Sequence, residues 1–277
     1  MNTEDPTLAA RFFFRNCAVS LHVPGEMRIS RTITPGPNDI VLDRDFTPAD
    51  SPSEFIDVQS DFCRFLNATS STKDSLFKKV AAIGYMLCNK LPRGGRRCRA
   101  FICVNEDKGA CCNGKSLFAE SIARFCHSTT IYGGEVQDSF FLSSISDKTN
   151  LLLVESCPTH RSVEKLLNLC TSDWTVFRKC QPPETIPISQ APYLLGISNA
   201  IDSELRKDGS FRRRFVALDF SSFFSPENTI RDYIGHDLFL DWNNAQWHMF
   251  DNFMFYCALE YLREDYSKGS DTFSFYE

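Results

Sequence analysis

Residues 109–116 read Gly-Ala-Cys-Cys-Asn-Gly-Lys-Ser and fit the pattern GxxxxGK[ST]. Of everything in the 277 residues this pattern constrains the fold most, because it works only where a strand passes to a helix through a tight loop. Glycines let backbone N–H groups curl round a phosphate, the lysine reaches the β and γ oxygens, and the hydroxyl meets Mg²⁺ at the helix N-terminus. The flanks supply that setting. Ala100–Asn105 is a short apolar strand, and Lys115–Cys126 has helical spacing with Leu117, Phe118, Ile122 and Phe125 inward. Gly109, Asn113, Gly114, Lys115 and Ser116 are the expected nucleotide-binding residues, and Lys115 is expected to face solvent until phosphate arrives.

Beyond this loop the chain keeps alternating short apolar runs with helical stretches. Leu151–Val154 and Tyr193–Ile197 read as buried strands, and Ser162–Leu169 as a helix. Alternation of this kind argues for an α/β fold with a parallel sheet flanked by helices, carrying helical segments at both ends. Four parts are expected. Residues 1–54 are a poorly patterned, loosely packed leader rich in turn formers, with a short strand or two. Residues 55–92 are a helical subdomain, with helices over Phe55–Leu66 and about Thr72–Asn89, ended by Pro92. Residues 93–225 are the phosphate-loop core, and residues 226–277 a helical flank with helices over Thr229–Leu240 and Ala245–Arg263.

Composition narrows the function classes. The formal charge of −5 excludes coating nucleic acid by bulk charge but permits a local basic surface. No run of 18 apolar residues exists for a membrane span, and the N-terminus lacks a secretory signal, so a cytoplasmic protein is expected. The twelve cysteines show no CxxC spacing; reduced, mostly buried thiols are expected rather than zinc. The 25 phenylalanines read as core packing.

Three further stretches carry chemistry. The apolar strand beginning at Leu151 ends in Glu155, forty residues after Lys115, where a carboxylate can hold the Mg²⁺ shell together with Ser116. The strand Tyr193–Ile197 runs into Ser198-Asn199, and an amide there can orient an attacking water and sense the γ-phosphate. Arg214, fifteen residues further on in Phe211-Arg-Arg-Arg-Phe-Val-Ala-Leu-Asp-Phe220, is of the type a neighbouring subunit inserts against transition-state charge. Between acid and amide, Asp173-Trp-Thr-Val-Phe-Arg178-Lys179-Cys-Gln reads as a hairpin with a basic tip suited to DNA. Arg93, Arg96, Arg97 and Arg99 form a basic turn that either adds electrostatic attraction or is simply solvated.

Taken in order, these motifs resemble motifs A, B, B′ and C and the arginine finger of superfamily 3 helicases. The likeness is to the phage and plasmid primase-helicase branch and covers roughly residues 75–225. The resemblance implies a P-loop AAA+ type core that assembles as a ring, commonly a hexamer, and moves single-stranded DNA using ATP and Mg²⁺. It implies phosphate and Mg²⁺ binding by Lys115 and Ser116, a sensor role for Asn199, action of Arg214 on the adjacent protomer, and Lys179 as the pore-hairpin lysine. It also implies replication of a phage, prophage or plasmid-like element in a bacterial cell, with a primase or initiator as a further partner. Too few residues precede position 75 for a primase domain, so either a stand-alone module or a segment of a longer protein is expected.

The chain departs from the family at two places. Glu155 is followed by Ser156 where the family has a second acid, and Cys180 follows Lys179 where some relatives carry histidine. Ser156 leaves open an ATP-binding scaffold or loader with weak hydrolysis, or takeover of the base role by Glu106 or Asp107. A small-molecule P-loop kinase is a third reading, which leaves the basic hairpin and Arg214 unexplained.

Overall fold

The computed structural model describes residues 5–51, 60–91, 99–107, 111–157 and 163–266. Gly109, Arg93, Arg96, Arg97 and the first five residues of the helix expected from Phe55 lie outside them. The chain divides into two compact units, residues 1–91 with 112–114 and 223–277, and residues 92–111 with 115–222.

The first unit opens with a sheet rather than a loose leader. Strands β1 (Leu8–Phe14), β2 (Ala18–His22), β3 (Glu26–Ser30) and β4 (Ile40–Leu42) lie in the order β3-β2-β1-β4, with β4 parallel to β1. The turn formers that dominate this stretch are connectors, and the short runs between them pair at a distance. Asn16 secures the return of the chain: its amide donates to Phe46 O (2.8 Å) and its oxygen accepts from Phe46 N (2.9 Å).

Helices α1 (Asp61–Ala68) and α2 (Lys73–Leu87) follow, the latter capped by Thr72, whose hydroxyl accepts from Ser75 N (3.1 Å). Gly84 lets α2 cross the C-terminal helix closely. A Cβ there would stand 2.3 Å from Cys257 O. Rings from both ends of the chain meet in this unit: Phe12, Phe14 and Phe46 surround Phe255 at centroid distances of 5.3, 6.0 and 5.3 Å.

The main sheet of the second unit has five strands, all parallel. They are β5 (Ala100–Asn105), β6 (Ser128–Tyr132), β7 (Leu151–Glu155), β10 (Tyr193–Ile197) and β11 (Phe215–Phe220). Their order is β11-β5-β10-β7-β6. Helices α3 (Lys115–Ala123) and α4 (Val163–Leu169) connect strands, α5 (Ser203–Lys207) and α6 (Gly209–Arg214) precede β11, and a hairpin of β8 (Trp174–Val176) and β9 (Glu184–Ile186) stands apart as its own sheet. The expected α/β parallel core is what forms. The edge strand β6 was not anticipated. Its Ser-Thr-Thr-Ile-Tyr run is β-branched, but only Ile131 is fully buried, so it lacks an apolar signature.

Past residue 222 the chain returns to the first unit. The helix expected over Thr229–Leu240 is only α7 (Ile230–Ile234), because Gly235 at φ +101° closes it, its N–H donating to Arg231 O (2.7 Å). Helix α8 (Asn244–Tyr261) begins at a capping box of Asn243 and Gln246. The parts expected as leader, helical subdomain and flank thus share one unit, and the other spans 92–222 apart from the loop residues 112–114. Cys63 and Cys157 are buried, and desolvation pushes their thiols up to about 12. No helix among the described residues is long and apolar enough to cross a membrane.

Candidate functional site

Because all five strands of the second unit's main sheet are parallel, their carboxyl ends share one edge, where ligands of open α/β sheets bind. Strand β5 ends there in Asn105, β7 in Glu155, and β10 leads directly into Ser198-Asn199. These three strands are adjacent, in the order β5-β10-β7. Two backbone bonds tie the edge together: Asn105 N donates to Asn199 O (3.2 Å), and Cys157 N donates to Ile197 O (2.7 Å).

The loop after β5 delivers Lys115 as the first residue of α3 and Ser116 as the second. Two left-handed residues precede them, Cys112 at φ +57° and Gly114 at φ +89°. Gly114 is required twice over, since a Cβ would also stand 2.5 Å from the Phe65 ring. Asn113 is buried and Ser116 exposed. Lys115 does not face solvent as expected. It is 7% exposed, and its ammonium donates to the Asn105 side-chain oxygen. The reason is chemical: a cation beside a strand end finds an amide acceptor and avoids the cost of burial without a partner. Asn105 is the residue that sequence reasoning missed, and its only signal is a polar side chain ending an otherwise apolar strand.

Glu155 is half-buried at its strand end, and Ser156 after it is exposed and left-handed at φ +51°. Asp107 accepts from the Ser222 hydroxyl (2.6 Å), and Glu106 N donates to Phe220 O (2.9 Å), so both acids are tied to the end of β11.

Arg214 lies elsewhere. It closes α6 just before β11, whose first residue, Phe215, pairs with Ala100 at the start of β5. Arg214 therefore sits at the amino edge of the sheet. Six residues of strand separate the edges, on the order of 20 Å. The other arginines of the triplet are exposed; Arg213 Nε donates to its own helix at Gly209 O (3.1 Å), and Arg213 O accepts from Arg99.

The expected hairpin forms, rooted by the buried Trp174, whose indole donates to Leu169 O (2.8 Å). Its two basic residues differ. Arg178 pairs with Glu184 and donates to Ile145 O (2.5 Å), so its guanidinium braces the hairpin. Lys179 is exposed at the tip, beside Phe177 at 40% exposure and Cys180 at φ +58°.

A strand, a phosphate-type loop and a helix set on a parallel sheet make this an α/β core of P-loop type. No family model matches the chain, and no curated protein does. Two of the solved structures that resemble it are the following. The apo NrS-1 C-terminal region is 11% identical, with TM-score 0.48, over 94% of this chain and 67% of that one. A JCV helicase with a bound small molecule is 13% identical, with TM-score 0.33, over 76% and 61%.

Proposed function

We propose that this chain is an ATP-dependent motor on single-stranded DNA, of the superfamily 3 helicase kind, working as a ring of copies in replication of a phage, prophage or plasmid-like element. The observation that carries the reading is the shared carboxyl edge of β5, β10 and β7, where Asn105 with Lys115, Asn199 and Glu155 end adjacent strands.

The residues present fit a nucleoside triphosphate and its magnesium ion. Lys115 holds an ammonium against an amide oxygen, an acceptor that phosphate oxygens can replace, and an exposed Ser116 hydroxyl sits in the first turn of a nine-residue helix. Ser116 and Glu155 would hold Mg²⁺, which neutralises charge on the β and γ phosphates when bound. Asn199 orients the attacking water, with its backbone carbonyl fixed by Asn105. Arg214, on the opposite edge, serves the site of the next copy, where it stabilises charge developing on the γ-phosphate. Lys179 contacts the DNA backbone as a point charge, and the exposed ring of Phe177 offers a face for a base.

Ser156 supports a second reading, an ATP-binding scaffold or loader with weak hydrolysis. A serine hydroxyl is no general base near neutral pH, and here it occupies a left-handed turn where the family carries its second acid. ATPase assays with and without single-stranded DNA, together with strand displacement, separate the two. DNA-stimulated turnover with unwinding supports the motor. Tight ATP binding with neither supports the scaffold.

A further inference from the structure

The first unit carries a cavity of about 390 Å³ between α2 and α8, lined chiefly by Leu76, Phe77, Val80, Phe253, Tyr256 and Cys257. Its lining is mostly apolar, with Asn67 and Glu260 among its polar members, and Phe77 at 41% exposure marks its open side. The volume falls within the ~300–1,000 Å³ of pockets that enclose an organic ligand, so an aliphatic side chain and part of the backbone carrying it fit inside.

The same unit also presents a knob. Leu240, at 79% exposure, is the most exposed large apolar side chain among the described residues. It is held out firmly, because Leu238, Phe239 and Trp242 around it are buried and Phe239 packs edge-on against Trp242 at 4.7 Å. A leucine fixed in water on a buried anchor has surface to lose to a partner and little freedom to give up.

Within one copy the knob does not fill the hole: Leu240 stands in water and is not among the residues that line the cavity. Leu240 lies before the first turn of α8, and the cavity lines the helix from Phe253 onward. Their surroundings carry opposite charge. Asp241 is exposed beside Leu240, whereas Asp237, one turn before it, is paired with Arg231. On α2 the exposed Lys73 precedes Leu76, Phe77 and Val80 by three, four and seven positions, which puts it on the cavity's face one turn further out. The rim's one carboxylate, Glu260, is paired with Arg263 at 2.9 Å.

We propose that Leu240 of one copy of this chain inserts into the α2/α8 cavity of the next, with Asp241 set against Lys73. A knob and a hole on different parts of one surface make a heterologous contact, which propagates head to tail and closes only as a ring. The contact rests on the self-assembly part of the proposed function and names the surfaces that perform it.

Sedimentation velocity on the full chain with a non-hydrolysable ATP analogue and single-stranded DNA tests the contact. The parent should associate beyond a dimer. Leu240→Asp, at a position too exposed to affect folding, should raise the concentration of half-association about tenfold or more. Phe77→Glu should do the same from the other side. Mixing the two variants should restore a pair, because one keeps the hole and the other the knob, and growth should stop at that pair. Asp241→Lys should weaken association, and adding Lys73→Glu should recover it. A Leu240→Asp variant that assembles like the parent overturns the contact while leaving self-assembly and ATP binding in place. A parent that stays monomeric under every condition overturns both the contact and the ring.

Discussion

The ammonium of Lys115 is held by the side-chain oxygen of Asn105, so the strand before the phosphate loop ends in the residue that receives the loop's lysine. Both are buried, at 7% and 5% exposure. An incoming phosphate must therefore draw the lysine from an acceptor it already has. Lys115→Ala should abolish ATP binding or turnover while leaving a folded protein, as read by calorimetric titration and circular dichroism. Asn105→Ala should keep the lysine but remove this acceptor, with a stability loss of about 1–3 kcal/mol. ATP bound and turned over by Lys115→Ala at the parental level would remove the loop from the mechanism.

The two basic residues of the β8–β9 hairpin should separate in experiment. Lys179→Ala should spare basal ATPase and weaken single-stranded DNA binding alike for all sequences. The slope of log affinity against log salt should fall by about 0.7 to 1, as for one lost phosphate contact. Arg178→Ala should act mainly on the hairpin, since its guanidinium is spent on Glu184 and Ile145 O. The pair is partly exposed, so the stability loss should stay within about 1 kcal/mol.

Arg214→Ala should leave ATP affinity nearly unchanged and cut hydrolysis steeply; arginine fingers are worth about 10³–10⁵ in rate. Its place on the far edge of the sheet makes rescue in trans the decisive measurement. Mixed rings of Arg214→Ala and Lys115→Ala copies should regain part of the ATPase at interfaces that join an intact loop to an intact arginine. Mixed rings with no recovery would leave Arg214 without this role, and Arg212 and Arg213 would then be tested in the same way.

Ser156→Asp should raise turnover without a comparable change in ATP affinity, because general base assistance is worth about 10²–10⁴-fold. The left-handed backbone at Ser156 sets the choice of acid. Aspartate adopts φ > 0 more readily than glutamate, so Ser156→Glu should fold less stably by roughly 1 kcal/mol and gain less. Brisk hydrolysis in the parent, lost on changing Glu106 or Asp107, would transfer the base role to one of those residues.

In the first unit, Asp251 is fully buried, and Arg44 grips it with bonds of 2.8 and 2.5 Å. Desolvation raises the Asp251 carboxyl above its usual 3.8 despite the guanidinium. Arg44→Met should cost about 3–5 kcal/mol at neutral pH by stranding the charge. With the arginine gone the folded-state value rises further. A carboxyl raised in the folded state contributes stability that is full below its unfolded value and lost as pH climbs through the folded one. The gap between variant and parent should therefore narrow toward acid pH in thermal melts. A gap independent of pH would assign the loss to packing against Trp247, over which Arg44 lies at 4.4 Å.

Sequence alone determined the strands β5, β7 and β10, the loop and the helix after it, and the hairpin, because each is written in a contiguous stretch. Short fully apolar runs, helical spacing and a fixed phosphate-loop pattern are local signals, and buried parallel strands carry them most strongly. Tertiary structure decided what depends on residues distant in the chain. Strand β1 acquires a parallel partner about thirty residues away in β4, and its phenylalanines pack on Phe255, so a stretch read as a leader is a sheet. Edge strand β6 gains its place from β7, with little apolar pattern of its own. The finer features of the site follow the same rule. Lys115 is buried because Asn105 is there to receive it, Arg178 is committed because Glu184 and Ile145 lie within reach, and Arg214 stands on the far edge because β11 runs parallel to β5. A side chain's type is set by its codon, but its exposure, partner and edge of the sheet are set by what the fold brings beside it.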